Sequence, residues 1–346
     1  MMVSFKWQKT EGKMKKIVSL LLAMVLVVGT LTACGSKSEP AKTGLAVVTS
    51  VGKSASAGEE DGLAQADSTI VAVLVGADGK ILACDIDAAQ TKVNFSAEGK
   101  LLTDVASTFK SKQELKTEYG MNAASSIGKE WNEQADAFAA YVVGKTIEEV
   151  KSIAVTEEGV PTDADLAATV TLKVGGFIAA VEKAVANAKE IGANSDDVLG
   201  LAVNTDIAKS TDATAEEAGL VQVYSTYSVV TKDSKGKVTS CLLDASQANV
   251  NFDATGVITT DLTVAPATKQ ELGADYGMKK ASAIGKEWNE QADAFAAYVV
   301  GKTADEVSGI ALDGEGLAAD ADLISSVTVH IGPFIQVVGK ALANAK

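Results

Sequence analysis

The chain contains one block of nineteen residues twice, and this repetition constrains its fold more than any other feature. Residues 128–146 recur without a change as residues 285–303, so the two copies are offset by 157 positions. The same offset superimposes Cys84 on Cys241. The chain is therefore a tandem duplication, and we expect two homologous domains.

The repeated block predicts an amphipathic α-helix, because its large apolar residues recur at a spacing that puts them on one helical stripe. These residues are Trp131, Ala135, Phe138 and Val142. After the block, Thr146 with Glu149, and Thr303 with Glu306, have the spacing of a capping box. Each pair predicts a second, shorter helix that begins directly after the threonine.

The polar side of this helix is also unchanged between the repeats, although other segments have diverged. Its residues are Asn132, Glu133 and Asp136 in the first repeat, and Asn289, Glu290 and Asp293 in the second. One interpretation is that this face binds a partner protein or a solute. The other is that chance and gene conversion preserved it.

The beginning of the chain has the pattern of a bacterial lipoprotein signal. Two lysines precede an apolar run of twelve residues at 17–28, and Leu31-Thr-Ala-Cys34 follows. A membrane span needs about twenty apolar residues, whereas small residues before a cysteine suit a signal peptidase. Because the segment resembles a lipobox, we expect translation from Met14, removal of residues 1–33 and a palmitate-bearing lipid on Cys34. The protein would then be anchored at the extracytoplasmic face of a bacterial cell membrane.

The charge of the mature chain excludes nucleic acid as a partner. The whole sequence carries a net charge of −14, and removal of residues 1–33, with five lysines and one glutamate, changes it to −18. An excess of carboxylates repels phosphate backbones and anionic headgroups. The membrane anchor is therefore expected to be the lipid and not a basic patch.

The order of the predicted elements indicates an α+β fold, with an antiparallel sheet and helices on one of its faces in each domain. We expect a tether at 34–44, the first repeat at 45–189, a linker at 190–199 and the second repeat at 200–346. In the first repeat, a strand is predicted at 45–51 and is followed by a polar loop that reaches Asp67. Further strands are predicted at 69–75, 80–87 and 92–95. A last strand is predicted at 166–174 and again at 323–331, before the final helix of each repeat.

Few residues offer catalytic chemistry. His330 is the single histidine, so histidine triads and histidine metal sites are not expected. The acidic pairs Asp163/Asp165 and Asp320/Asp322 are typical of solvated turns, and we expect no metal site. Cys84 and Cys241 are expected to be buried thiols. We expect no enzyme beyond a redox carrier.

A pattern in both repeats resembles a known group of lipoproteins. Tyr-Gly-Met-x-x-Ala-Ser-x-Ile-Gly-Lys-Glu-Trp spans residues 119–131 and 276–288. Asp-Ala-Asp-Leu at 163–166 and 320–323 then precedes a Ser/Thr-Val-Thr segment and an amphipathic helix. Together these segments resemble clostridial and related membrane-anchored lipoproteins of the "major membrane immunogen" type, which are similar to FMN-binding domain proteins.

The resemblance implies a flavin-dependent electron carrier. In that wider family the motif Asp-x-x-Ser-Gly-Ala-Thr presents a threonine that carries FMN, and the corresponding positions here are Thr169 and Ser326. Ala167 and Ile324 stand where the family has glycine, and a side chain there obstructs an open turn. We therefore predict that neither hydroxyl carries covalent FMN.

Non-covalent FMN would use other residues. Gly175 and Gly176 begin the final helix of the first repeat, where free backbone N–H groups favour a phosphate. The aromatic residues Trp131, Trp288, Tyr119 and Tyr276 would stack on the isoalloxazine ring, or would instead fill the core.

Two functions follow from the sequence. The first is a lipid-anchored extracytoplasmic protein of two FMN-binding-like domains, which acts as an electron carrier with a redox partner or descends from one without flavin. The second is a cofactor-free surface lipoprotein that binds a partner protein or a solute through the repeated tryptophan helix.

Overall fold

Each repeat folds into a three-stranded antiparallel sheet that is followed by helices. The computed structural model describes residues 38–346, so the predicted signal peptide and the lipidated Cys34 lie outside the described residues. Glu39–Lys346 forms one compact unit. The architecture confirms the predicted α+β class, with two tandem copies that each carry helices against one face of an antiparallel sheet.

In the first repeat the elements are β1 (Lys42–Ser50), β2 (Gly62–Val75), β3 (Ile81–Phe95), α1 (Lys112–Leu115), α2 (Trp131–Val142), α3 (Ile147–Lys151), α4 (Ala164–Ala167) and α5 (Gly175–Ala186). In the second they are β4 (Val198–Asp206), β5 (Gly219–Lys232), β6 (Val238–Phe252), α6 (Lys269–Leu272), α7 (Trp288–Val299), α8 (Ala304–Ser308), α9 (Ala321–Ile324) and α10 (Gly332–Asn344). Short 3₁₀ turns cover Lys116–Tyr119, Gly273–Tyr276 and Met278–Lys280. The strand orders are β1-β2-β3 and β4-β5-β6.

The tryptophan helices and the capping boxes are confirmed. α2 and α7 have the same bounds within the repeated block. The side chain of Thr146 accepts a hydrogen bond from the backbone N–H of Glu149, and Thr303 does the same for Glu306. Local signals within a few residues were sufficient for these elements.

The first strand begins at Lys42, three residues earlier than predicted, so the end of the predicted tether belongs to the sheet. Gly44 pairs with Val73, and a Cβ on Gly44 would lie 2.1 Å from the carbonyl oxygen of Ala184. The glycine is needed because α5 packs closely on β1. In the same way β4 begins inside the predicted linker, at Val198.

The strand β3 is continuous over 15 residues, and the prediction of two separate strands at 80–87 and 92–95 is wrong. The intervening residues 88–91 have a weak strand propensity, but each pairs with a residue of β2. β2 itself begins at Gly62, inside the predicted polar loop. Pairing with a long neighbour and burial on both faces override the local propensity.

The predicted strand at 166–174 is also wrong. Asp163 caps the short helix α4, because its Oδ1 accepts hydrogen bonds from the backbone N–H groups of Asp165 and Leu166. Beyond α4, the N–H of Thr171 donates to the side chain of Gln134 and not to a neighbouring strand. The equivalent strand prediction at 323–331 is wrong in the same way, because this segment begins inside α9, which Asp320 caps.

Each sheet has two buried faces. One face packs against the helices of its own repeat, and Phe138 and Phe295 lie at the centres of these two cores. The other face packs against the sheet of the other repeat, where Phe95 and Phe252 stack with ring centroids 4.3 Å apart. The layers therefore run helix, sheet, sheet, helix.

Hydrogen bonds across the seam between the repeats occur in reciprocal pairs. The N–H of Ala57 donates to the carbonyl of Gly256, and the N–H of Ala213 donates to the carbonyl of Gly99, both at 2.8 Å. The repeats are thus related by an approximate twofold symmetry. Across residues 38–346, no helix has both the length and the apolar character that crossing a membrane requires.

Candidate functional site

The central polar residue of the tryptophan helix makes internal contacts. Gln134 is fully buried, and its Oε1 accepts hydrogen bonds from the N–H and the hydroxyl of Thr171 at 2.8 and 3.1 Å. Its Nε2 donates to the hydroxyl of Ser125 and to the carbonyl of Lys129. Gln291 repeats this pattern. The glutamine ties the helix to two loops, which explains why it is unchanged between the repeats.

The acidic residues predicted to bind a partner also have internal roles. An oxygen of Glu133 accepts the N–H of Glu130 at 2.8 Å and completes a capping box at the start of α2. The Nε2 of Gln113 donates to Asp136 Oδ1 at 2.9 Å. In the second repeat, Glu290 and Asp293 accept the equivalent bonds. Sequence identity on this face thus has a structural cause.

The asparagines on the same face are different. The Oδ1 atoms of Asn132 and Asn289 are buried, and neither has a hydrogen-bond partner among the described residues. Within the described residues, both repeats therefore have a buried acceptor without a donor at this position.

The tryptophans belong to the core. Trp131 is 5 % exposed and Trp288 is 3 % exposed. Trp131 packs edge to face against Phe177 with centroids 5.9 Å apart, and Trp288 packs in the same way against Phe334 at 5.7 Å. The structure supports the alternative in which these rings fill the core.

A lysine completes each aromatic cluster. The Nζ of Lys112 lies 4.4 Å from the ring centroid of Tyr119 and 5.2 Å from that of Trp131. In the second repeat the lysine is Lys269, which is only 5 % exposed. Its Nζ lies between 4.5 and 5.1 Å from the rings of Tyr224, Tyr276 and Trp288. Such contacts attract the cation to the ring faces.

The second cluster perturbs its lysine strongly. Burial lowers the pKa of Lys269 to about 8, although the negative charge of Asp244 acts in the opposite direction. The ammonium donates to the hydroxyl of Tyr224 at 3.2 Å. In the first repeat, position 67 is an aspartate where the second has Tyr224, and Asp67 pairs with Lys53 at 2.8 Å. Lys269 therefore contacts three aromatic rings, whereas Lys112 contacts two.

The hydroxyls and the tryptophans predicted to hold FMN make contacts within the protein. The hydroxyls of Thr169 and Ser326 each donate at 3.1 Å to the carbonyl three residues earlier. A flavin ring stacked on Trp131 would have to displace core side chains. Gly175 and Gly176 are exposed at the start of α5, with open space beside them. FMN binding by these residues stays a prediction.

The first aspartate of each acidic pair has a structural role. Asp320 Oδ2 accepts a hydrogen bond from the hydroxyl of Tyr298 at 2.8 Å, and both Asp163 and Asp320 cap helices. His330 is exposed. In the described part of the chain, no group of three histidine, cysteine or carboxylate side chains could hold a metal ion.

Two clefts lie at the seam between the repeats. The first cleft, of about 230 Å³, lies between β1 and the end of α5 on one side and β6 and α6 on the other. The second cleft, of about 470 Å³, lies between β4 and the end of α10 on one side and β3 and α1 on the other. The two clefts are therefore equivalent under the approximate twofold symmetry.

Most of the polar lining residues occupy equivalent positions in the two clefts. The pairs, with the first cleft named first, are Asp244 and Asp87, Gln270 and Gln113, Glu271 and Glu114, Asn187 and Asn344, and Lys189 and Lys346. Sequence analysis did not identify these residues as a site, because they are far apart in the chain and converge only when the two sheets pack together.

A reciprocal ion pair closes one side of each cleft. The Nζ of Lys183 lies 2.5 Å from Glu271, and it also donates to the carbonyl of Val47 at 2.6 Å. In the other cleft, Lys340 lies 2.8 Å from Glu114. These lysines and glutamates link the two repeats, so their charges are already neutralised.

A buried carboxylate forms the floor of each cleft. Asp87 Oδ1 accepts hydrogen bonds from the N–H groups of Ala88 and Gln113 at 2.7 and 3.1 Å. Asp244 accepts the equivalent bonds from Ala245 and Gln270. Burial raises the pKa of both carboxyls to about 6, while these hydrogen bonds act against that rise. Each aspartate fastens the short helix α1 or α6 to its sheet.

Comparisons with known proteins identify no relative. No family model matches this chain, and neither a curated protein nor a solved structure shows significant similarity to it. The resemblance to FMN-binding lipoproteins therefore stays a prediction.

Proposed function

We propose that this protein is a lipid-anchored extracytoplasmic binding protein that holds small polar solutes in the two clefts between its repeats. The observation that carries this proposal is the recurrence of one cleft, built twice from equivalent polar residues at the seam.

The lining favours a small ligand with several polar groups. Each cleft presents carboxylates, side-chain amides and lysines beside apolar side chains, such as those of Leu45 and Leu201. Ligand sites combine apolar walls with a few polar groups in this way, and sites for drug-sized ligands have volumes of about 300–1,000 Å³. Volumes of about 230 and 470 Å³ suit a solute of metabolite size.

The lipid anchor is proposed from the lipobox that ends at Cys34. The N–H of Ala41 donates to the carbonyl of Ala193 at 2.9 Å, so the folded body begins a few residues after Cys34.

Native mass spectrometry and calorimetry of the purified chain test the proposal. The probes are a panel of amino acids, alkyl amines, dicarboxylates and monosaccharides at neutral pH. We expect at least one class to bind, with up to two ligands in each chain.

The test variant and its control variant have the same net charge as each other. Lys189→Glu with Lys346→Glu reverses one cationic group in each cleft, and we expect affinity for a bound solute that has an anionic group to fall about tenfold or more. Lys235→Glu with Lys280→Glu makes the same charge change outside the clefts and should leave affinity intact. Failure of every solute class to bind would refute the proposal. A flavin absorption band in the purified protein would favour the electron carrier instead.

A further inference from the structure

The two clefts differ at one lining position that bears directly on ligand charge. Asp85 of β3 lines the second cleft, and the equivalent residue of β6 in the first cleft is Leu242. Both belong to the central part of a strand, where Asp85 pairs with Ala72 and Leu242 pairs with Val229. The same backbone site therefore carries a carboxylate in one cleft and an aliphatic side chain in the other.

The carboxylate of Asp85 receives no hydrogen bond from any described residue. Its electrostatic neighbours are Lys346, which stabilises the charged form, and Asp136 and Asp87, which oppose it. Lys346 itself lies at 4.0 Å from Asp136, the outer limit of an ion pair. Burial raises the pKa of Asp85 to about 6. The group is thus charged at neutral pH, largely desolvated and without a donor.

Two other charged side chains of this cleft already form close ion pairs. Glu114 pairs with Lys340 at 2.8 Å, and Lys110 pairs with Glu118 at 2.7 Å. Lys116 is exposed at the rim. Asp85 is therefore a carboxylate that lines the second cleft with no donor of its own among the described residues, and its oxygens can accept from a ligand.

We propose that the second cleft selects a ligand with a primary ammonium group, whose N–H groups donate to Asp85, and that the first cleft does not. This inference rests on the proposed function, since it assigns a ligand class to one of the two clefts. A charge-assisted hydrogen bond in a desolvated site is stronger than a neutral one, and it offsets the cost of burying the carboxylate. In the first cleft, Leu242 offers the same ligand only apolar contact.

Calorimetric titration of the whole chain with 1,4-diaminobutane tests this assignment at neutral pH. Butane-1,4-diol, which has the same length and no charge, is the control ligand. We expect one diamine to bind in each chain, and the diol to bind about tenfold more weakly or not at all.

Reciprocal variants use one cleft as the control for the other. Asp85→Leu gives the second cleft the residue that the first one has, and we expect diamine affinity to fall about tenfold or more. Leu242→Asp makes the opposite exchange and should create a second diamine site. Asp85→Asn keeps the shape of the side chain and removes its charge, so it serves if the leucine variant does not fold.

The outcomes separate the two proposals. Equal diamine affinity in the native protein and in Asp85→Asn would overturn this assignment, as would equal affinity for the diol. If the diamine does not bind but a dicarboxylate or a sugar does, the ammonium assignment fails and the binding function stands. If no probe binds, both fail.

Discussion

Replacement of Lys269 by methionine would measure the cost of a cation held among three aromatic rings. Burial lowers the pKa of Lys269 from 10.5 to about 8. The unfolded state therefore binds more protons than the folded state between pH 8 and pH 10.5, and stability should rise with pH across that window. Below pH 8 the charged amine costs folding about 3 kcal/mol relative to a neutral amine.

The rings offset part of this cost. Each cation–π contact contributes about 0.5–1 kcal/mol, and the ammonium lies within 5.1 Å of all three ring centroids. Methionine is unbranched and fills a similar volume. We therefore expect Lys269→Met to raise the free energy of unfolding at pH 7 by about 1 kcal/mol.

Urea denaturation of the native protein and the variant at pH 7 and pH 9.5 checks this value. The gain should shrink at pH 9.5, because the native lysine is then largely neutral in the folded state. Lys112→Met is the matched control, since Lys112 is only partly buried and contacts two rings. A loss of more than about 2 kcal/mol in Lys269→Met at pH 7 would refute the reasoning, because it would make the cation–π energy larger than the burial cost.

Three further predictions concern the core, the flavin and the anchor. Trp131→Ala and Trp288→Ala should each lower the free energy of unfolding by about 3–5 kcal/mol, because each ring is buried against a phenylalanine; unchanged thermal melts would move the rings from core to site. Neither Thr169 nor Ser326 should gain mass after expression beside a flavin transferase, since both hydroxyls bond the preceding helical turn; an FMN adduct that survives denaturation and is lost in Thr169→Ala would contradict this. Cys34→Ala should release the protein from membranes, and fractionation that still finds it tightly bound would exclude a lipid anchor.

The sequence identified the elements whose signals lie within a few residues. The tryptophan helix follows from the spacing of Trp131, Ala135, Phe138 and Val142, and the helix after it follows from the Thr146 and Glu149 capping box. The unchanged polar face was visible in the sequence, and the structure shows that several of its side chains make hydrogen bonds within their own repeat. Gln134 lay inside that block, and a buried glutamine must satisfy its amide, but its partner Thr171 is 37 residues away.

The failed strand predictions have a common reason. Residues 166–174 contain β-branched side chains that suit a strand, yet no strand within residues 38–346 pairs with them, and the side chains of Asp163 and Gln134 accept backbone hydrogen bonds instead. Residues 88–91 look like a break, yet β2 supplies a partner for each of them. Strand formation depends on the neighbour, which local propensity does not contain.

The sequence by itself determined the duplication, the α+β order of elements and the helices with their caps, because each of these is written in residues close together or in exact repetition. Only the tertiary structure decided that the two sheets bury their inner faces against each other, as Phe95 does against Phe252. A strand that is buried on both faces loses the alternation that marks an exposed side. The clefts lie along that same seam, so the residues that line them, such as Asp85 and Asn344, come together only after the repeats have packed.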